Sequence, residues 1–132
     1  MAKDFNRWNQ EKQAINAKSG SVLFHEREVW WCSLGVNVGS EQDGASDNFE
    51  RPVVIVRNFS GQVCWVVPLT RTIKPHNPYY FPIEKAPDGV SVAIVSQLRL
   101  ISSKRLIRKI RTIERPVFDD LQNRIRKLLS DA

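Results

Sequence analysis

Apolar residues recur along this chain with two different periods, and the change of period divides it. Over Asp4–Lys18, Phe5, Trp8, Lys12 and Ile15 return at helical spacing while Asn, Gln and charges fill the other side, which predicts an amphipathic helix. Asp4 is placed to cap its start, and Ser19-Gly20-Ser21 ends it. This helix stands ahead of everything else and reads as an appendage whose apolar stripe docks on the body. From Glu28 the pattern shortens to β-runs. Val29–Leu34 is aromatic and β-branched, suited to a half-buried pleated surface. Pro52–Arg57 and Gln62–Leu69 are two strong strands joined through Asn58-Phe59-Ser60-Gly61, a hairpin in which Pro68 implies an edge or a bulge. Tyr79–Ile83, Ser91–Ser96 and Arg108–Ile113 are further strands, with a short basic turn at Ser102–Leu106. Pro116–Leu129 closes the chain as a helix, with Asp119 and Asp120 in its first turn, Arg126 and Lys127 in its last, and Val117, Leu121, Ile125 and Leu128 on one face. Five or six short strands with one packed helix predict a small curled barrel. Gly35–Glu50 is the exception to this regularity, a polar loop long enough to expect a function or mobility there.

Length and composition narrow the class. A chain of 132 residues makes one domain able to fold without a disulfide or metal staple, and 42% hydrophobic with 26% charged residues rules out global disorder. No apolar run reaches the roughly 20 residues that cross a bilayer. The N-terminus lacks the apolar stretch of a signal peptide, so no membrane association is expected and the expected compartment is the cytoplasm. Cys32 and Cys64 cannot make a disulfide framework or a four-cysteine zinc site, and their alternation with bulky strand residues predicts buried thiols.

The net charge of +6 is unevenly placed. Residues 1–98 carry ten Lys/Arg against ten Asp/Glu, whereas residues 99–132 carry ten against four, so the whole excess lies in the last quarter. Such an asymmetry either favours polyanionic partners or solvates one face. Lys104, Arg105, Arg108, Lys109 and Arg111 could draw in phosphates, or could blunt an exposed strand edge. Trp30, Trp31, Trp65, Tyr79, Tyr80 and Phe81 could stack on splayed bases, although alternation sends most of them into the core. His25 and His76 fall in unrelated loop settings, which excludes a two-histidine acid–base pair. No clustered metal-ligand motif and no glycine-rich phosphate loop appears, so neither a metal nor a cofactor is expected.

Five elements in fixed order carry a more specific signal. Glu28-Val29-Trp30-Trp31 leads to Gly39-Ser40-Glu41-Gln42, then to Arg51-Pro52-Val53-Val54-Ile55-Val56 and Val66-Val67-Pro68-Leu69-Thr70, and later to Gln97-Leu98-Arg99 with Lys104-Arg105-Leu106. Over about residues 27–130 this order resembles the MazF/PemK family of toxin endoribonucleases. The resemblance implies a mainly β fold, the small SH3-like or plug-of-barrel domain of MazF and CcdB type over residues 27–132. A C-terminal helix would complete it, and residues 1–26 would be an N-terminal helical extension. It implies a homodimer, a cognate antitoxin that lays an acidic segment over the RNA-binding face, and metal-independent, sequence-selective cleavage of single-stranded RNA. Cleavage would proceed by 2′-hydroxyl attack, leaving a 2′,3′-cyclic phosphate and a 5′-hydroxyl.

Carried over residue by residue, Arg51 matches the catalytic arginine before the proline and Thr70 the catalytic threonine at a strand end. Glu41 lies in the loop that borders the RNA site in family members, with Gln42 beside it, and Gln97 and Arg99 match the later motif. Outside the resemblance, Tyr79 and Tyr80 lie in a connection flanked by Pro78 and Pro82 from which one of them could reach the nucleic acid, and Arg71 is a further candidate for RNA contact. The chain departs from the pattern twice: eight residues separate Gln42 from Arg51, and Ser96 stands where an aspartate is common before the glutamine. The chemistry asked of the pair is plain. In-line attack builds negative charge on the phosphate oxygens, and a guanidinium fork with a hydroxyl donor would stabilise it. Arg51 opens one hairpin strand and Thr70 closes the other, ends that are adjacent in an antiparallel pair. Alternatively, Arg51 could be a strand-end ion pair with Glu50 or Glu41, and Thr70 a turn-initiating threonine. Two other functions share these features. A toxin of the same fold that poisons DNA gyrase would rely on an aromatic C-terminus, which Leu128-Leu129-Ser130-Asp131-Ala132 lacks. A non-catalytic RNA-binding module would keep the basic face and survive loss of Thr70.

Overall fold

The computed structural model describes residues 4–16, 22–35, 50–86 and 89–130. The elements run α1 (Phe5–Asn16), β1 (Glu28–Ser33), β2 (Glu50–Asn58), β3 (Val63–Thr70), β4 (Tyr80–Ala86), β5 (Gly89–Ile94), β6 (Arg99–Ser102), β7 (Leu106–Thr112) and α2 (Arg115–Ser130). One-turn 3₁₀ helices occupy Val95–Gln97 and Ser103–Arg105. No helix among the described residues is long and apolar enough to cross a membrane.

Every pairing among these strands is antiparallel, in the order β4-β5-β3-β2-β1-β7 with β6 also on β3. The Ser103–Arg105 turn joins β6 to β7, which lie at opposite ends of the run β6-β3-β2-β1-β7. One turn can join them only if the sheet curls back on itself, and that curl is the barrel. β2 shows why its sequence reads as an unbroken apolar run. Val53 and Ile55 enter one core cluster with Trp30, Cys32, Cys64, Val66, Ile101 and Leu106 inside the curl. Val54 and Val56 enter a second with Val67, Leu69 and the α2 residues Phe118, Leu121 and Ile125. A strand covered on both faces needs no polar alternation.

The architecture expected from the resemblance, a small β-barrel with a helix at each end, is what forms. Local chemistry explains the ends of its elements. The Arg7 backbone N–H donates to Asp4 Oδ1 at 2.9 Å, the side-chain cap expected for α1. The Gly61 N–H donates to Asn58 Oδ1 at 2.8 Å, and Gly61 takes φ +78° to close the hairpin.

Several expectations are corrected. Pro68 marks neither an edge nor a bulge: it pairs with Val53 in an interior strand. On its other side β3 pairs with β6 through residues 63–66 and with β5 through residues 69–70, so the proline falls in the step between two partners. The bulge of this hairpin lies instead between Ile55 and Arg57. β6 was not foreseen, because Arg99–Ser102 is too short to show a period. Glu50 belongs to β2 rather than the loop, and the rest of the expected loop beyond Gly35 lies outside the described residues. α2 starts at Arg115, which moves Asp119 and Asp120 out of its first turn. In α1 only Trp8 is buried, while Phe5 remains 52% exposed.

Candidate functional site

The geometry starts from the β2–β3 ladder. Val53 pairs with Pro68 and Val54 with Val67, so continuing the register by two residues sets Arg51 opposite Thr70. Parity fixes the face. Arg51 follows Val53 and Ile55, and Thr70 follows Val66, all of them residues turned into the curl. Both side chains therefore emerge together at the mouth of the barrel, where the apolar lining ends.

Each is also held locally. The Arg51 Nη1–H donates to the Leu69 carbonyl at 3.1 Å, which ties the guanidinium across the hairpin beside Thr70. Thr70 Oγ1 accepts the Thr72 N–H at 3.2 Å. That bond is the turn-initiating contact expected of a strand-end threonine, and because it uses a lone pair it leaves the O–H able to donate.

Two more guanidinium groups lie further along the barrel. Arg99 opens β6 opposite Val66 and alternates with Ile101, which places it on the same inner face. The Arg105 Nη1–H donates to the Ser33 carbonyl at 3.2 Å, one position beyond the Cys32–Arg51 pair of β1 and β2. Burial, and then the charge of Arg99, push the Arg105 guanidinium below its usual value. Burial drives the Cys32 thiol the other way, up to about 12, although Arg105 and Arg99 oppose that rise. Cys64, likewise buried, is pushed up to about 11. Both cysteines are core groups, as their alternation predicted.

The remaining site residues divide. Tyr80 pairs with Ile94, and the β3–β5 register extends that row to Pro68, so Tyr80 lies on the Thr70 face two strands away. Lys74 Nζ sits 4.8 Å from the centre of its ring. Tyr79 precedes the strand, is 44% exposed, and uses its carbonyl to accept the Val95 N–H. Arg71 is exposed immediately after Thr70. Gln97 is half-buried in the Val95–Gln97 turn, at the corner between β5 and β6. Glu41 and Gln42 lie outside the described residues.

Part of the basic C-terminal set has structural work. Lys109 Nζ lies 3.2 Å from Glu28, Arg108 sits over Trp31 at 5.3 Å, and Arg111 donates to Ser91 Oγ at 2.9 Å. Arg105's contact with the Ser33 carbonyl depends on the β6–β7 turn folding back onto β1, and no local pattern encodes that. Among the described residues no three His, Cys, Asp or Glu side chains cluster in a way that could hold a metal ion.

The profile of the PemK-like, MazF-like toxins of type II toxin–antitoxin systems matches residues 25–129. The chain belongs to that family. Solved structures of the same fold include MazF from Deinococcus radiodurans, 16% identical, with a TM-score of 0.66 over 82% of this chain and 97% of that one. A mycobacterial endoribonuclease in complex with its cognate antitoxin is 13% identical, with a TM-score of 0.63 over 83% of this chain and 98% of that one. A MazE–MazF complex from D. radiodurans is 11% identical, with a TM-score of 0.59 over 84% and 99%. No curated protein matches the chain. Family membership thus rests on the profile, and the solved structures show that the barrel is shared.

Proposed function

We propose that this toxin is a metal-independent endoribonuclease that cuts single-stranded RNA, with mRNA as its substrate, and that Arg51 and Thr70 form its reacting centre. The observation that supports this reading is the Arg51 Nη1–H bond to the Leu69 carbonyl, which holds the guanidinium at the end of β3 that carries Thr70. The RNA 2′-oxygen attacks its own phosphorus, the P–O5′ bond breaks, and a 2′,3′-cyclic phosphate and a 5′-hydroxyl remain. The 2′ proton passes to water, and the departing 5′-oxygen takes one from water. Arg51 stabilises the charge that grows on the non-bridging oxygens and does not itself surrender a proton, since a guanidinium stays charged in proteins. The Thr70 hydroxyl donates to the same oxygens. Arg99 and Arg105 hold neighbouring phosphates, and Arg71, Tyr79 and Tyr80 contact the strand beyond Thr70. Glu41 and Gln42, which lie outside the described residues, contribute to RNA binding, and Gln97 supports the β5–β6 corner.

A cognate antitoxin covers this face with an acidic segment. Antitoxin complexes of two proteins with the same barrel, and the positive charge here, support that partner. The toxin acts as a cytoplasmic homodimer built from the domain at 27–132, with residues 1–26 as its extension.

The test is incubation of pure protein with mixed single-stranded RNA in excess EDTA, with end-group analysis of the fragments. Specific cuts bearing 2′,3′-cyclic phosphates are expected. Arg51→Ala, shown by circular dichroism to be folded, should lower the rate at least ~100-fold, as removal of one fixed donor to a developing oxyanion does. Intact RNA with the wild-type protein, or native-rate cleavage by the variant, would overturn the assignment.

A further inference from the structure

α1 is joined to the barrel by contacts that also build a pocket. Trp8 is buried on Gly35, where a Cβ would fall inside the indole, and Arg105 sits over the same ring at 5.6 Å. At the other end of the helix, Lys104 Nζ donates to the carbonyl of Asn16 at 3.0 Å, a cation on the negative end of the helix dipole. Between helix and turn remains a cleft of about 220 Å³ lined by Lys12, Ile15, Asn16, Ser102, Lys104 and Arg105. Its charged lining among the described residues is entirely cationic.

Docking accounts for Lys104 and Arg105 but not for Lys12. Lys12 lies one turn after Trp8 on the same helix face, so the buried indole aims it into the cleft. Among the described residues it makes no hydrogen bond or ion pair. Lys12 is exposed on the rim of this cleft and adds a third positive charge to its lining, beside Lys104 and Arg105. Arg105 decides which kind of anion suits that lining, because it is a wall of this cleft and, through Ser33, a neighbour of the Cys32–Arg51 pair. Cations therefore step along the cleft from Arg105 to Lys104 and Lys12, and Arg105's bond to Ser33 turns that row toward the Cys32–Arg51 pair, an arrangement suited to a strand of repeated phosphates rather than to one small anion.

We infer that α1 and the Ser102–Arg105 turn form a second phosphate subsite, which holds the RNA strand away from the scissile bond and makes the N-terminal helix part of the substrate channel. The inference rests on the RNA reading above, and its test separates the two. The probe is a single-stranded RNA methylated at every 2′-oxygen, which lacks the attacking hydroxyl and stays whole. Its affinity is measured against salt for the full chain, for Lys12→Glu and Lys12→Gln, and for Lys12→Arg as a rescue. Circular dichroism confirms that α1 is retained in each variant. Loss of one phosphate contact should weaken binding several-fold and flatten the slope of log K against log salt by about 0.7, with Lys12→Arg near wild type. Unchanged affinity and slope in Lys12→Glu and Lys12→Gln, with wild type binding tightly, would overturn the subsite and leave the ribonuclease reading standing. No RNA binding by the wild type would overturn both. If Lys12→Glu instead lost affinity only for an oligoglutamate peptide, the cleft would belong to an acidic protein segment and the RNA subsite would fall.

Discussion

Replacing Glu28 by Gln tests how a buried carboxylate holds the start of the barrel. Its side chain is only 9% exposed, and both oxygens are occupied. Oε1 accepts the His25 backbone N–H at 2.9 Å and the Trp30 indole N–H at 3.0 Å. Oε2 lies 3.2 Å from Lys109 Nζ and 3.2 Å from His25 Nδ1. Burial by itself would raise this carboxyl, but the bonds from Trp30, His25 and Lys109 outweigh it and hold the group below its ordinary value of 4.5. Glutamine keeps an oxygen for the first pair of donors and turns an NH₂ toward the ammonium. A hydrogen bond to a charged group contributes about 1.5–3 kcal/mol, and half-exposed Lys109 and His25 sit at the low end, so Glu28→Gln should cost about 2 kcal/mol. For a domain of this size that is a melting point lower by roughly 8 °C.

The pH dependence carries a definite sign. A carboxyl depressed in the folded state contributes stability above its unfolded value and loses it as pH falls through the folded one. Glutamine does not titrate, so the difference between wild type and variant isolates Glu28 from all other carboxylates. Urea unfolding at pH 7 should show the full gap, and the gap should close as the pH is taken well below 4.5. A variant as stable as wild type at pH 7, or a gap unchanged at pH 3, would refute the reasoning.

Two further outcomes follow from the geometry. Gly35→Ala adds a side chain at φ +77° where the Trp8 indole lies. It should cost at least about 1–2 kcal/mol and undock α1, and a free helix of 12 residues is marginal in water, so amide exchange across Phe5–Asn16 should rise toward unprotected rates while the sheet stays protected. Cys32 and Cys64, with thiols pushed up to about 12 and 11, should resist a thiol-specific disulfide reagent at pH 8 until denaturant is added; fast labelling of the native protein would contradict their burial.

The sequence by itself determined whatever depends on neighbours along the chain. Runs such as Pro52–Arg57 announced strands, Asn58 and Gly61 announced the turn between them, Asp4 announced a helix cap, and spacing on the last helix announced the buried face of Leu121 and Ile125. The approach of Arg51 to the end of β3 was legible for the same reason, since one hairpin joins β2 and β3 and antiparallel geometry makes its open ends adjacent. Only the tertiary structure could decide the rest. β6 is four residues long, and it exists because β3 offers it an edge. Pro68 sits inside the sheet because β3 changes partner at that point. Arg105 reaches the Ser33 carbonyl because a one-turn link carries β7 back to β1, and Lys12 lines a cleft because Trp8 seats its helix on a residue without a Cβ. These placements depend on contacts between residues far apart in sequence, and burial, not periodicity, selects them.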